Sequence, residues 1–232
     1  MPITNAYTQF YRCTQNTPLG CPNTKETLEK VPGAKFCLEC GFPTPLPAQV
    51  ELRGTLGTYR ISELLRPQGI GRLYKGTQIG NGQPIVAKEY LLLNRCFNAT
   101  EAHQRRTALR QSTQGNLNNK KAWEFRLVSP SEVIADPNSD RIYLIFPGQI
   151  TVAPTLTQVV KEEGAFPATQ VRVVLNQVLQ TLHFLHSQTS GTAHGNLSLD
   201  SLLMSHNSYV YACDLASWEQ HFSPTPIKMP SP

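Results

Sequence analysis

The chain has 232 residues, of which 40% are hydrophobic and 16% charged, and its mean hydropathy is -0.29. That composition describes a soluble globular protein with room for one medium domain and a small one. The longest apolar runs, such as Ile142 to Phe146, are far too short to cross a bilayer. The start, Met1-Pro2-Ile3-Thr4-Asn5, lacks the basic and apolar regions of a signal peptide. A cytoplasmic, reducing environment and no membrane partner are therefore expected.

Residues 1–42 hold four of the six cysteines and little periodic apolar pattern. A segment this small needs a staple to fold, and in a reducing compartment clustered thiols point to metal. Cys37-Leu38-Glu39-Cys40-Gly41 has the spacing of a zinc knuckle, since two thiolates two residues apart chelate one tetrahedral ion. Cys13 and Cys21, a looser pair, would complete a four-thiolate structural site with no position open for water. A redox-switchable disulfide and plain free thiols are the competing readings. Cys96 and Cys213 look like isolated, packed residues.

Pro43, Pro45 and Pro47 open a proline-rich linker, 43–56, expected to be extended. From residue 57 the pattern alternates as in strands: Tyr59 to Leu65, Leu73 to Gln78 and Ile85 to Leu92, with Gly80-Asn81-Gly82 as a hairpin turn. Asn94 to Lys121 carries Arg95, Arg105, Arg106, Arg110, Lys120 and Lys121 against Glu101 alone, which equals the whole net charge of +5. This reads as one poor helix and a loop, solvated rather than bound to nucleic acid, because no aromatic residues interleave with the basic ones. Two more strands are expected near Ser131 to Ala135 and Arg141 to Phe146.

The second half reads as helical. Thr155 and Gln158 have capping-box spacing and Gly164 ends that helix. Val171, Val174, Leu175, Val178, Leu179, Leu182 and Leu185 then recur at three- and four-residue steps, as in a core helix. Short strands at Ser201 to Met204 and Tyr209 to Cys213 follow, and the tail 223–232 is proline-rich. The order predicts an α+β fold with a β lobe before a helical lobe.

These residues carry a family resemblance. Residues 57–222 resemble the first two-thirds of a bacterial Ser/Thr protein kinase domain, and 1–42 resembles the cysteine knuckle of the four-cysteine kinases found in cyanobacteria. The resemblance implies a kinase-like N-lobe and hinge over 57–150 and a partial C-lobe over 151–222, preceded by a zinc-ribbon-like module. Ile85-Val86-Ala87-Lys88 matches the strand lysine that neutralises nucleotide phosphates. Leu65 to Tyr74 matches the phosphate loop, with Gly71 as its third glycine and Arg66 and Gln68 in place of the first two. Arg141 to Gly148 matches the fifth strand and hinge, and His183-Phe184-Leu185-His186-Ser187 the end of the helix before the catalytic loop. Asp214-Leu215-Ala216 keeps the magnesium-binding aspartate.

The departures fall on catalytic letters. Where the family has H-R-D-L-x-x-x-N, this chain reads His194-Gly195-Asn196-Leu197-Ser198-Leu199-Asp200-Ser201. Asn196 cannot accept the substrate's proton, Ser201 replaces a metal-binding asparagine, and Ser198 replaces a phosphate-contacting lysine. Asp200 is the candidate substitute ligand. Glu101 lies at the start of its helix, so a normal partnership with Lys88 is not expected. After Asp214 the ordinary activation segment and remaining C-lobe helices are missing, which leaves two accounts: a piece of a longer protein, or a lower lobe supplied by a partner.

The expected function is a pseudokinase-like regulatory or scaffold module. It would bind a partner protein or a C-terminal effector domain, with at most weak ATP and magnesium binding through Gly71, Lys88, Asp200 and Asp214. An active Ser/Thr kinase with an unusual catalytic loop is the alternative. A zinc-ribbon nucleic-acid binder is the second.

Overall fold

A computed structural model of the chain describes residues 8–117, 121–148, 152–188 and 192–222. The proline-rich tail expected from residue 223 lies outside them. Alternating apolar residues and glycine turns build a six-stranded antiparallel sheet in the order β1-β2-β3-β4-β6-β5. Its strands are β1 (Glu51–Arg53), β2 (Thr58–Gln68), β3 (Gly71–Gln78), β4 (Pro84–Leu91), β5 (Glu132–Ile134) and β6 (Arg141–Pro147). The turn between β3 and β4 is the Gly80-Asn81-Gly82 hairpin, where Asn81 Oδ1 accepts from the Gln83 amide at 3.0 Å.

β4 and β6 are buried on both faces, so they read as nearly continuous apolar runs. One face packs Tyr59, Ile61, Tyr74, Ile85, Tyr143 and Ile145 into a small core. Segment 43–56 covers that face and is not a free linker. Leu52 is buried there, Leu46 and Val50 pack alongside, and Ile61 donates its amide to the Val50 carbonyl and accepts from the Gln49 amide. β1 extends the sheet by pairing with β2.

The other face joins the main core, which includes Tyr90, Ile142, Leu144 and Phe146 together with Tyr11, Cys13, Cys21, Cys37 and Phe42 of the cysteine segment. That segment contains α1 (Thr24–Lys30). Two buried arginines bind it to the sheet. Arg72 donates to the carbonyls of Pro43 (3.0 Å) and Thr44 (3.4 Å), and Arg141 to that of Lys35 (3.2 Å). Glu89 lies between the two guanidinium groups, 2.6 and 3.0 Å away.

The basic segment forms a longer helix than its sparse apolar pattern suggests: α2, Ala99–Leu117. Asn98 and Glu101 exchange side-chain-to-backbone bonds at its start. Ala102, Leu109 and Thr113 bury a narrow stripe. Its arginines act as clamps rather than as a solvated face. Arg105 donates to the His221 carbonyl (2.6 Å), Arg110 to that of Ala135 (2.7 Å) and Arg106 to that of Ser139.

The short helix α3 (Lys121–Glu124) leads into the second half. There α4 (Leu156–Glu163) carries the expected capping box between Thr155 and Gln158. α5 (Ala168–His186) spans the predicted core helix. Only part of α5 is covered: Val178, Phe184 and Leu185 are buried, whereas Val171, Val173, Leu175 and Leu179 are exposed. The hairpin of β7 (Leu202–Met204) and β8 (Val210–Ala212) lies against α4 and α5. A last short helix, α6 (Ala216–Glu219), runs into a 3-10 turn at Gln220–Phe222. Among the described residues, no helix is long and apolar enough to cross a membrane.

Candidate functional site

β4 presents Lys88 inward, beneath the turn between β2 and β3, and the end of β8 brings Asp214 to face it. Lys88 Nζ is 2.6 Å from Asp214 Oδ1, and both groups are buried. The sequence placed these two residues together through separate motifs, and the fold joins them.

The second partner of Lys88 was not anticipated. Glu219 of α6 places Oε1 3.1 Å from Nζ and is 1% exposed. Glu101, by contrast, is spent on the start of α2. Burial alone would depress the Lys88 ammonium, but Asp214, Tyr90 and Glu219 outweigh it and hold it well above its ordinary value. Burial pushes Glu219 above the usual carboxylate range, and Lys88 only partly offsets that. The one sequence hint was an acid and a tryptophan directly after Asp-Leu-Ala, in a chain whose α2 has no acid at mid-helix.

Glu219 also enters the turn between β2 and β3. A Cβ on Gly69 would collide with its carboxylate, and the Ile70 amide points to Oε1 at 3.5 Å. This is where a kinase's phosphate loop would close over phosphates. Gln68 Nε2 donates to Asp214 Oδ2 at 2.5 Å, so both oxygens of Asp214 are engaged. Gly71 packs its Cα against Lys88, where a Cβ would lie 2.9 Å from Cε. Behind Glu219, Trp218 is fully buried beside Phe146, ring centroids 6.2 Å apart. Phe222 stacks on Tyr90 at 4.4 Å, and Tyr11 of the cysteine segment donates its hydroxyl to the Phe222 carbonyl at 2.5 Å. The segment 216–222 is thus a plug, seated by aromatic burial and tied by one ion pair to Lys88.

The altered catalytic-loop letters fit this arrangement. Asn196 donates its amide to the Asp214 carbonyl (3.2 Å) and to Glu219 Oε2 (3.4 Å), a task an aspartate could not perform. Gly195 has φ +70, and a Cβ there would lie 2.7 Å from the Ala216 Cβ. A glycine in the catalytic loop therefore accommodates an alanine in Asp-Leu-Ala. Ser201 serves the backbone: its hydroxyl accepts from the Ser198 amide at 2.9 Å and donates to the Ser198 carbonyl at 3.0 Å. Asp200 is exposed, on the wall of the same cleft. Lys88 and Asp214 are thus engaged with each other and with Glu219 and Gln68.

In the cysteine segment, the thiols of Cys21, Cys37 and Cys40 form a group whose sulfurs all lie within 4.8 Å of one another. Cys21 is 3.6 Å from Cys37 and 3.4 Å from Cys40. Tetrahedral zinc at about 2.3 Å holds its sulfurs about 3.8 Å apart, so the trio has the right spacing for an ion. Burial raises the Cys37 thiol, but the backbone of Cys40, the Thr27 hydroxyl and the backbone of Glu39 outweigh it and bring it down to about 7. Cys13 stands outside this trio, although its thiol interacts with Cys21. All six cysteines are free thiols; Cys213 is buried and Cys96 partly so.

No protein-family model matches the sequence, and no curated protein matches it significantly. Solved structures do match the fold, which is protein kinase-like: a β lobe and the first elements of a helical lobe. Rad53, solved in complex with AMP-PNP, aligns over 68% of this chain and 38% of its own, with a TM-score of 0.51 and 18% identity. Vaccinia related kinase 3 aligns over 83% of this chain and 55% of its own, with a TM-score of 0.53 and 15% identity. The chain thus spans well under half of the Rad53 chain and little more than half of the vaccinia related kinase 3 chain.

Proposed function

We propose that this chain is a catalytically inactive, kinase-like module that acts by binding, as a regulatory or scaffold unit for a partner protein or an effector domain. The observation that carries this reading is the burial of Lys88 between Asp214 and Glu219. The lysine and aspartate that would handle nucleotide and metal are instead an internal ion cluster. Asn196 supports it, since the residue at the proton acceptor's place is an amide donor. The exposed apolar face of α5 supports the partner, because faces of this kind are covered by protein contacts.

The test is thermal unfolding with about 5 mM ATP, with and without magnesium, beside an assay for phosphate transfer. A ligand at a hundred times its Kd adds about 2.7 kcal/mol, a shift of several degrees. No shift and no transfer are expected. A clear magnesium-dependent shift, abolished by Lys88→Met, would instead establish a nucleotide-binding kinase.

The same reading gives the cysteine segment a structural zinc, held by Cys21, Cys37 and Cys40 with Cys13 as the fourth thiolate, in a reducing cytoplasmic setting. Elemental analysis of the purified chain is expected to find one zinc. Cys37→Ser should lose it and lower stability by several kcal/mol, on the order of what structural zinc contributes. Metal-free protein of unchanged stability would return these residues to plain thiols.

A further inference from the structure

The cysteine segment meets the kinase-like body along a groove that includes no residue of the plug. Two adjoining cavities form it, of about 250 and 630 Å³, and Phe36, Asn94 and Asp140 line both. In the smaller, Phe36, Phe42, Pro43 and Leu93 supply apolar walls, and Arg95 lies over the Phe42 ring at 5.6 Å. The larger runs past Phe97 and Ala102, at the start of α2, to the turn between β5 and β6. The walls are fixed to one another in the folded chain, since Arg141 holds the Lys35 carbonyl and Arg72 that of Pro43. Concave, partly apolar junctions between two units are favoured places for ligands, and Phe36 is left 43% exposed in this one.

The charge of the groove says what fits it. Lys35, Arg95 and Arg106 line it against Asp140 alone. Asp140 already faces Arg141 at 3.7 Å, and none of the three bases forms an ion pair among the described residues. Arg95 and Arg106 donate to the carbonyls of Phe10, Arg12 and Ser139. Those acceptors are neutral, so the charges stay in place. Asp136, outside the lining, tempers Arg106; Lys35 and Arg95 remain in excess. A groove of one sign draws and orients ligands of the other. Its polar lining suits a chain as well: Asn94 and Asn138 add exposed side-chain amides, which can both donate to and accept from a peptide backbone.

We propose that this groove docks an acidic peptide segment of a partner protein. One large apolar side chain of the peptide sits between Phe36 and Leu93, and its carboxylates face Lys35, Arg95 and Arg106. The apolar anchor supplies most of the affinity and the bases fix register and rate of encounter. The proposal depends neither on the ion cluster at Lys88 nor on the exposed face of α5, and it stands or falls apart from both.

Fluorescence anisotropy of the full chain with a labelled glutamate-rich peptide carrying one phenylalanine tests it, at low salt. Binding is expected, and Phe36→Ser or Lys35→Glu should each weaken it by about tenfold or more. Both side chains are exposed, and Lys35→Glu serves alone should Phe36 be needed for folding. Lys25→Glu makes the same charge change off the groove, and Leu179→Glu alters the face of α5; both should leave binding unchanged. Alanine in place of the peptide's phenylalanine should weaken it, and lysines in place of its glutamates should abolish it. No binding at about 1 mM peptide would overturn the proposal, as would binding that neither groove variant weakens. A loss in Lys25→Glu or Leu179→Glu as large as in Lys35→Glu would overturn it too, by placing the peptide elsewhere. So would equal binding of a single-stranded oligonucleotide of the same charge, which would make the groove a general polyanion surface.

Discussion

Lys88→Met is expected to destabilise the protein by about 3–5 kcal/mol, the typical cost of removing one partner from a buried ion pair. Two carboxylates, Asp214 and Glu219, converge on Lys88 Nζ at 2.6 and 3.1 Å. Without the cation the two largely buried carboxylates are left facing each other. The sign of the pH dependence follows from Glu219, whose folded value burial already raises. A carboxyl with a raised folded value takes up its proton in the native state before the unfolded state does. The variant should therefore recover stability as pH falls from about 7.5 to about 5. Urea unfolding of the wild type and variant across that range measures both effects, and Lys88→Met/Glu219→Gln should recover part of the loss. In a kinase whose lysine faces nucleotide and solvent, the same substitution would remove activity and leave stability nearly intact. A Lys88→Met protein as stable as wild type would thus refute the internal cluster.

That cluster was half legible in the sequence. Ile85-Val86-Ala87-Lys88 and Asp214-Leu215-Ala216 are local patterns whose apolar neighbours fix their depth in the sheet and hairpin. Glu219 has no such pattern. α6 is four residues long, with no period to read, and its position depends on aromatic contacts with Phe146, Tyr90 and Tyr11 that are remote in sequence. The altered letters were visible individually, but their relation was not. Gly195 and Ala216 look like two independent losses until a 2.7 Å approach makes them one accommodation.

The same division holds for the fold. β2 to β4 and β6 could be read because alternation and glycine turns are local. β1 could not, since three residues between prolines and a glycine gain strand character only by pairing with β2. α2 was underestimated for another reason. Its helix is held by arginines reaching carbonyls on other segments, and an apolar periodicity search gives such contacts no weight. The cysteine spacing pointed to a metal knuckle, and the fold brings Cys21, Cys37 and Cys40 together. It gave no sign that this segment would share a core with the kinase-like body.

Glu89→Leu should have a comparable effect, again about 3–5 kcal/mol, and it tests that shared core. Glu89 is fully buried and accepts from Arg72 Nε (2.6 Å), Arg141 Nη1 (3.0 Å) and the Tyr74 hydroxyl (3.0 Å). Arginine cannot shed its charge to escape burial, so the variant leaves Arg72 without an acid and Arg141 with only Asp140, 3.7 Å away. Against a total stability of about 5–15 kcal/mol, a loss of that size is readily seen in urea midpoints. The arginines also hold the carbonyls of Lys35, Pro43 and Thr44. Their displacement should therefore loosen the cysteine segment as well as the sheet, and amide exchange over residues 35–44 should accelerate. Replacing all three charges together, Arg72→Met/Glu89→Leu/Arg141→Leu, removes the unpaired charges and should restore much of the sheet's stability. It cannot restore the three carbonyl bonds. Exchange over 35–44 should thus stay fast in the triple variant even as the urea midpoint recovers. If both recover together, apolar packing alone docks the cysteine segment, and the arginines serve only to neutralise Glu89.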